Sequence, residues 1–314
     1  MTDTSISPNG SESEELIDLG QLITAVWEGK LLVFFSAILT SLVAIFFAIN
    51  QPNLYTSQSV LSPVQDEVNS SMNAMSQNAG GLASIVGLNM NMGGAASHRA
   101  ALALEKMQSL IFFGNNLYPE ILPDLMAYEE WSADENLDIY DPKIYNVENR
   151  EWVREVSFPL AKMPSVQEAF LVFNNHFSVD QDKSTNYITI EVTHKSPRVA
   201  KRWNAKIIKS IDNEMRSYDL EKAKRAIKFL NEQRKQTYLV SLEESFSRLA
   251  EEQTKTMMLA NIAEEYVFNV IEPAYIPEFK SGPNRAIICF IGGVIGLLMG
   301  ILIAIVRYFF SVKQ

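Results

Sequence analysis

Two long stretches without charged residues lie near the two ends of the chain. Residues 31–49 and 286–306 contain no Asp, Glu, Lys or Arg. Each has about twenty residues, which is the length an α-helix needs to cross ~30 Å of hydrocarbon. Because backbone polar groups in lipid must be paired within their own segment, we predict that both stretches are transmembrane helices.

These helices would divide the chain into a cytoplasmic N-terminal arm (1–30), a periplasmic domain (50–285) and a cytoplasmic tail (307–314). Lys30, Arg307 and Lys313 flank the terminal side, against Lys280 and Arg285 on the other, a small bias toward cytoplasmic termini. A cleaved signal peptide is disfavoured because the residues before the first stretch are mostly acidic.

The composition of the central domain restricts its location and its partners. The only cysteine, Cys289, falls in the second apolar stretch, so the domain has no thiol, which suits an oxidising compartment. The domain carries 24 Lys and Arg against 31 Asp and Glu, a net charge of −7. Nucleic acid is therefore not expected as a partner, since phosphate binding needs a basic surface.

The pattern inside the domain predicts an α+β fold. We expect strands at 52–64 and 266–271 and a β-hairpin made of 177–181 and 187–193. Ser97 is a candidate N-cap for a helix over 100–113 that ends at Gly114. A further helix should open at Ser196-Pro197. Its apolar face consists of Val199, Trp203, Ile207 and Ile211. We expect a membrane-proximal mixed sheet with a long projecting helix.

That long helix is predicted over residues 219–263, because no Pro or Gly occurs between Arg198 and Glu272. It would be continuous over ~65 Å, and its narrow apolar stripe is closer to a coiled-coil seam than to a core helix. Such a helix needs partners, most simply copies of itself. The candidates for an oligomer interface are Leu230, Arg234, Tyr238, Leu242, Phe246 and Leu249. Arg234 would either extend to solvent at the seam's edge or form an intersubunit ion pair.

Glycines recur at every fourth position of the second apolar stretch. Gly292, Gly296 and Gly300 form a tandem GxxxG motif, which lets two membrane helices approach closely. The partner could be the first apolar helix, another subunit or a different membrane protein. The Gly- and Met-rich segment 72–94 is either a loop or a small-residue surface that packs on a neighbouring subunit.

No arrangement of residues predicts catalysis. His98, His176 and His194 are widely separated and lack metal-binding spacing, and no phosphate loop or nucleophile elbow occurs. We expect no catalytic residue, no metal and no cofactor.

Several motifs, in their order along the chain, resemble Wzz-type polysaccharide chain-length determinants. They are the arm motif ELIDLG at 15–20, LYTS at 54–57, QTKTMMLANI at 253–262, and a proline-containing lead with Pro273, Pro277, Pro283 and Arg285 before the Gly-rich helix. These proteins are the polysaccharide co-polymerases, and the resemblance is to those without a tyrosine kinase domain. The middle region, 72–164, carries no matching motif.

The resemblance implies a non-enzymatic regulator of the modal length of a lipid-linked polysaccharide, with lipopolysaccharide O-antigen as the foremost candidate. It implies a Gram-negative inner-membrane protein with both termini cytoplasmic. Its partners would be a Wzy-type polymerase, the lipid-linked polysaccharide, membrane lipids and copies of itself in a ring of about eight protomers. Two alternatives are a periplasmic adaptor of an export system and a membrane sensor domain. An adaptor usually has a lipoyl-like β-domain, and a sensor continues into an output module.

Overall fold

The computed structural model describes residues 27, 29–64, 94–132, 137–236 and 240–312. In chain order the helices are α1 (Lys30–Asn50), α2 (Gly94–Met107), α3 (Leu110–Phe112), α4 (Tyr118–Met126), α5 (Val166–Phe173), α6 (Pro197–Gln236), α7 (Val240–Ile262) and α8 (Arg285–Val312). The strands are β1 (Tyr55–Pro63), β2 (Tyr128–Ser132), β3 (Leu137–Tyr140), β4 (Tyr145–Asn146), β5 (Glu151–Trp152), β6 (Phe177–Gln181), β7 (Ile188–His194) and β8 (Phe268–Glu272). The arm motif at 15–20, the segment 72–93 and Tyr238 lie outside the described residues.

The chain forms two compact units, one of residues 1–52 with 282–314 and the other of residues 53–281. The first unit contains α1 and α8. Both helices are long and apolar enough to cross a membrane, with mean hydropathies of 2.6 and 2.8. The expectation of two apolar helices is confirmed. The helix α8 continues to Val312, beyond its predicted end at Val306.

The second unit is built on a four-stranded sheet with the order β6-β7-β1-β8. The strands predicted from the sequence are confirmed. All three pairings are antiparallel, so the expectation of a mixed sheet is wrong. Alternate side chains of β1 and β7 are buried, as expected for a sheet with one covered face.

Helix α6 covers this face of the sheet. Val199, Trp203, Ile207 and Ile211 are buried, as their spacing predicts. The buried Asn204 fixes the helix to two strands: its Nδ2 donates to Ser57 O at 2.9 Å and to Ile190 O at 3.0 Å. Helices and an antiparallel sheet together confirm the α+β class.

The single helix predicted over 219–263 is wrong in two respects. Asp219 lies in the middle of α6, which runs unbroken from Pro197 to Gln236, and a second helix, α7, follows from Val240. The two helices form an antiparallel hairpin, because Arg216 in the middle of α6 donates to Ala260 O and Ala263 O at the end of α7. The absence of Pro and Gly did not exclude a reversal, since other residues can also leave the helical conformation.

The region before α4 also differs from expectation. Helix α2 begins at Gly94, so Ser97 is not its N-cap, and Gly114 lies in a π-helical turn (Phe113–Leu117) rather than ending a helix. A methyl group added at Gly114 would lie 3.0 Å from Val166 Cγ1, so the glycine serves close packing against α5. The short strands β2–β5 between α4 and α5 were not predicted.

Candidate functional site

The glycines of α8 pack against α1. A methyl group added at Gly296 would lie 2.9 Å from Ala37 Cα and from Ser36 O, and one added at Gly300 would lie 2.7 Å from Val33 Cα. A methyl group added at Gly292 would instead meet the side-chain methyl of Ala44. Of the three partners left open by the sequence, the structure places the first apolar helix of the same chain on this face.

A matching stripe of small residues on α1 was missed in the sequence. Ser36, Thr40, Ala44 and Ala48 recur every four residues, which is the small-xxx-small pattern that favours close helix packing in lipid. The Ser36 hydroxyl donates to Gly296 O at 2.8 Å. Ala304, buried at 3% exposure, continues the glycine stripe by one more step. The helix pair is therefore antiparallel, with small residues on both sides of the contact.

The proline-containing lead is held in an extended conformation along β1. Ser57 Oγ donates to Tyr275 O at 2.7 Å, and the Ser281 amide donates to Leu54 O at 2.8 Å. Pro277 is buried between these two points and Pro273 is exposed. In the other unit, Pro283 precedes α8, and Arg285 at its first residue contacts Gln51 O at 3.4 Å.

The base of the helical hairpin is held by three charged residues of α6 spaced four and three apart. Asp212 Oδ1 accepts from the Tyr266 and Val267 amides at 2.8 and 3.0 Å, and Asp219 Oδ2 accepts from the Tyr266 hydroxyl at 2.7 Å. Arg216 satisfies the carbonyls at the end of α7. These residues were not singled out in the sequence, because their partners lie about fifty positions away.

The predicted interface residues differ in how far this hairpin buries them. Leu230 is buried within the chain. Leu242 and Leu249 remain 44% and 47% exposed, Phe246 is half-buried, and Arg234 is exposed. Part of the apolar stripe is thus buried where α6 and α7 pack on each other, and the rest of it remains exposed along the hairpin.

A buried polar cluster joins α4 to α6. The Asp124 carboxylate, 7% exposed, accepts from the Tyr140 hydroxyl at 2.7 Å and from Trp203 Nε1 at 3.2 Å, and pairs with Arg202. Burial and the hydrogen bond to Asp124 raise the pKa of Tyr140. Because three partners on different elements converge on the Asp124 carboxylate, this cluster ties α4 to α6.

Two histidines meet at the edge of this cluster. The rings of His176 and His194 are 5.8 Å apart. His194 Nδ1 accepts from the Ser196 amide at 3.0 Å, so its Nε2 carries the proton toward Asp124 O at 3.2 Å. His98 is exposed. In the described ranges, no group of three or more His, Cys, Asp or Glu is arranged to hold a metal ion.

Acidification is expected to destabilise the fold through His194. Burial lowers its pKa to about 4, below the ordinary value of 6.5, so the unfolded chain takes up a proton first as pH falls. The contribution of His194 to the free energy of unfolding should therefore be fully present above pH 6.5. It should fall by up to ~1.4 kcal/mol per pH unit between pH 6.5 and pH 4. Urea unfolding of the full chain in detergent, followed by tryptophan fluorescence, measures this slope. A His194→Gln variant with an equally steep slope would contradict the assignment.

Comparison with known proteins points to one family. Residues 15–99 match the family model described as chain length determinant protein, Wzz. No curated protein sequence matches the chain at a significant level.

Three solved structures are similar to the chain at low identity. A full-length bacterial polysaccharide co-polymerase is 11% identical, with 94% of this chain and 98% of that one covered and a TM-score of 0.41. A fragment of WzzB, a polysaccharide co-polymerase from Salmonella Typhimurium, is 13% identical, with 73% and 100% covered and a TM-score of 0.32. A single-site mutant of the Shigella flexneri lipopolysaccharide O-antigen chain-length regulator WzzBSF is 9% identical, with 73% and 100% covered and a TM-score of 0.26.

The family match begins at the arm motif and extends through α1 and β1 to the start of α2. The motifs at 15–20 and 54–57, on which the sequence resemblance partly rested, lie inside it. The resemblance of this chain to Wzz-type chain length determinants is therefore confirmed over residues 15–99.

Proposed function

We propose that the chain is a non-enzymatic regulator of the modal length of a lipid-linked surface polysaccharide, with O-antigen as the first candidate. The observation that carries this proposal is the match of residues 15–99 to the chain length determinant family, in a chain whose two apolar helices pack as an antiparallel pair. The regulator acts with a Wzy-type polymerase, which supplies the chemistry, and works as a ring-shaped homo-oligomer in the Gram-negative inner membrane.

A gel profile of surface polysaccharide tests this proposal directly. Cells that make the protein should show a clustered range of chain lengths, and cells without it a random distribution. The profile also separates the proposal from an export adaptor, which likewise uses a helical hairpin. Loss of an adaptor would reduce the amount of exported material and leave its length distribution unchanged.

We expect both termini to be cytoplasmic and the unit of residues 53–281 to be periplasmic. Cysteines placed singly at Ser5 and Ser245, in a Cys289→Ser background, should differ in labelling by a membrane-impermeant maleimide. Ser245 is exposed on α7, so its replacement should label in intact spheroplasts. Labelling at position 5 alone would reverse the proposed topology.

A further inference from the structure

An exposed phenylalanine of the second unit lies close along the chain to the apolar helix α8. Phe279 is 84% exposed, and it comes six residues before Arg285, the first residue of α8. Among the described residues of the second unit, no other large, exposed apolar side chain lies so near an apolar helix along the chain. Because Phe279 gains almost nothing from burial within the chain, a partner outside the chain can still supply that stabilisation.

The segment that carries Phe279 is fixed on both sides of it. Before it, Ser57 Oγ donates to Tyr275 O at 2.7 Å. After it, the Ser281 amide and hydroxyl both donate to Leu54 O, at 2.8 and 3.1 Å. Phe279 is therefore exposed on a backbone that is already ordered, so its insertion into a partner would cost little further conformational entropy.

The chain between this segment and the two apolar helices is short at both connections. The six residues from Phe279 to Arg285 span at most ~21 Å when fully extended. Leu54, which binds Ser281, comes four residues after Asn50 at the end of α1, a span of at most ~14 Å. The headgroup region of a bilayer extends ~5–8 Å beyond the hydrocarbon on each side. Two separate connections thus keep Phe279 within reach of the surface of a membrane that α1 and α8 cross.

We propose that Phe279 inserts into the surface of the phospholipid bilayer and anchors the second unit there. Tyr275 and Ile276 on the same segment are also exposed, to 44% and 47%. The two residues that flank Phe279, Glu278 and Lys280, are exposed and opposite in charge, so attraction to anionic lipids is not required. Insertion depends instead on the burial of apolar surface at the boundary between headgroups and acyl chains. The inference rests on the proposed function, which places both apolar helices in a membrane.

Nitroxide labels at two matched positions test the depth of this segment. In a Cys289→Ser background, the full chain with either Glu278→Cys or Glu272→Cys is labelled and placed in nanodiscs of phosphatidylcholine. Each substitution removes one exposed carboxylate beside an exposed apolar residue, Phe279 in the first case and Ile271 in the control. Because this lipid has no net charge, electrostatic attraction to headgroups does not contribute.

The control position lies farther along the sheet. Glu272 pairs with Val60, which is six residues and about 20 Å along β1 from Leu54. We expect the label at position 278 to lie within ~5–10 Å of the boundary between headgroups and acyl chains. It should then be relaxed more by oxygen than by a water-soluble nickel complex, and the label at position 272 should show the reverse. Adding Phe279→Ser should return the label at position 278 to the aqueous behaviour of the control.

The outcomes separate this inference from the function on which it rests. Equal depth of the two labels would overturn the anchor, and so would an unchanged depth at position 278 in the Phe279→Ser variant. A label at position 278 that is shielded from both reagents would show a protein partner in place of lipid, which also contradicts the inference. Phe279→Ser should leave the unfolding of the second unit unchanged, since Phe279 is 84% exposed. An unaltered polysaccharide length distribution in cells without the protein would instead overturn the proposed function, whatever the depth at position 278.

Discussion

Replacing Gly296 with leucine is expected to abolish control of polysaccharide length while the protein is still made and inserted. The first side-chain carbon alone would lie 2.9 Å from Ala37 Cα and Ser36 O, and these are main-chain atoms that cannot rotate away. The two helices must separate, which costs at least ~1–3 kcal/mol by overpacking and also breaks the Ser36 to Gly296 hydrogen bond. The measurements are the gel profile of the polysaccharide and thermal unfolding in detergent.

A matched pair of smaller changes separates packing from composition. Gly296→Ala and Gly293→Ala add the same methyl group to the same helix. At Gly293 that group meets only the Ser41 hydroxyl, at 3.2 Å, and a hydroxyl can turn aside. Gly296→Ala should therefore lower the unfolding temperature more than Gly293→Ala. Equal effects, together with normal length control in Gly296→Leu, would mean that this contact has no part in function.

Replacing both Leu242 and Phe246 with aspartate is expected to reduce the assembly state and to shorten or randomise the polysaccharide. Both residues keep exposed apolar surface on α7 after the hairpin has formed. Covering the exposed part of such a side chain contributes roughly half of the ~1.5–3 kcal/mol of a fully buried one, and a closed ring repeats that contribution at every contact. Light scattering in nanodiscs reports the assembly and the polysaccharide gel reports the function.

The control for this variant is Ser241→Asp with Ser245→Asp, which adds the same two charges to exposed positions on another face of the same helix. That control should remain assembled. If both double variants dissociate, charge alone explains the effect. If neither does, the exposed stripe of α7 lies outside the interface.

The parts of the fold that depend on local pattern could be predicted from the sequence. The two apolar helices follow from composition, the β6-β7 hairpin from alternation, and the buried face of α6 from the spacing of Val199, Trp203 and Ile211. The reversal between α6 and α7 could not be predicted, because its determinants are distant. Asp212 and Asp219 accept hydrogen bonds from Tyr266, which lies about fifty residues further along the chain, and no local sequence pattern predicts that contact.

Only one side of the contact between α1 and α8 could be predicted from the sequence. The glycines of α8 form a recognised motif, but their partner had to be found among three possibilities. The stripe of Ser36, Thr40 and Ala44 on α1 is a weaker signal because such residues are common in apolar helices, and only the antiparallel register aligns it with the glycines.

The glycine face of α8 is already occupied by α1 of the same chain, and this decides what another membrane protein can recognise. The side chains that remain exposed on the outside of the helix pair are large ones. They include Phe34, Phe35, Phe46, Phe290 and Leu298, each more than half exposed. Under the proposed function, a polymerase that pairs with this chain within the bilayer would meet a ridged surface of bulky side chains, and that pairing should be sensitive to substitutions on this outer surface.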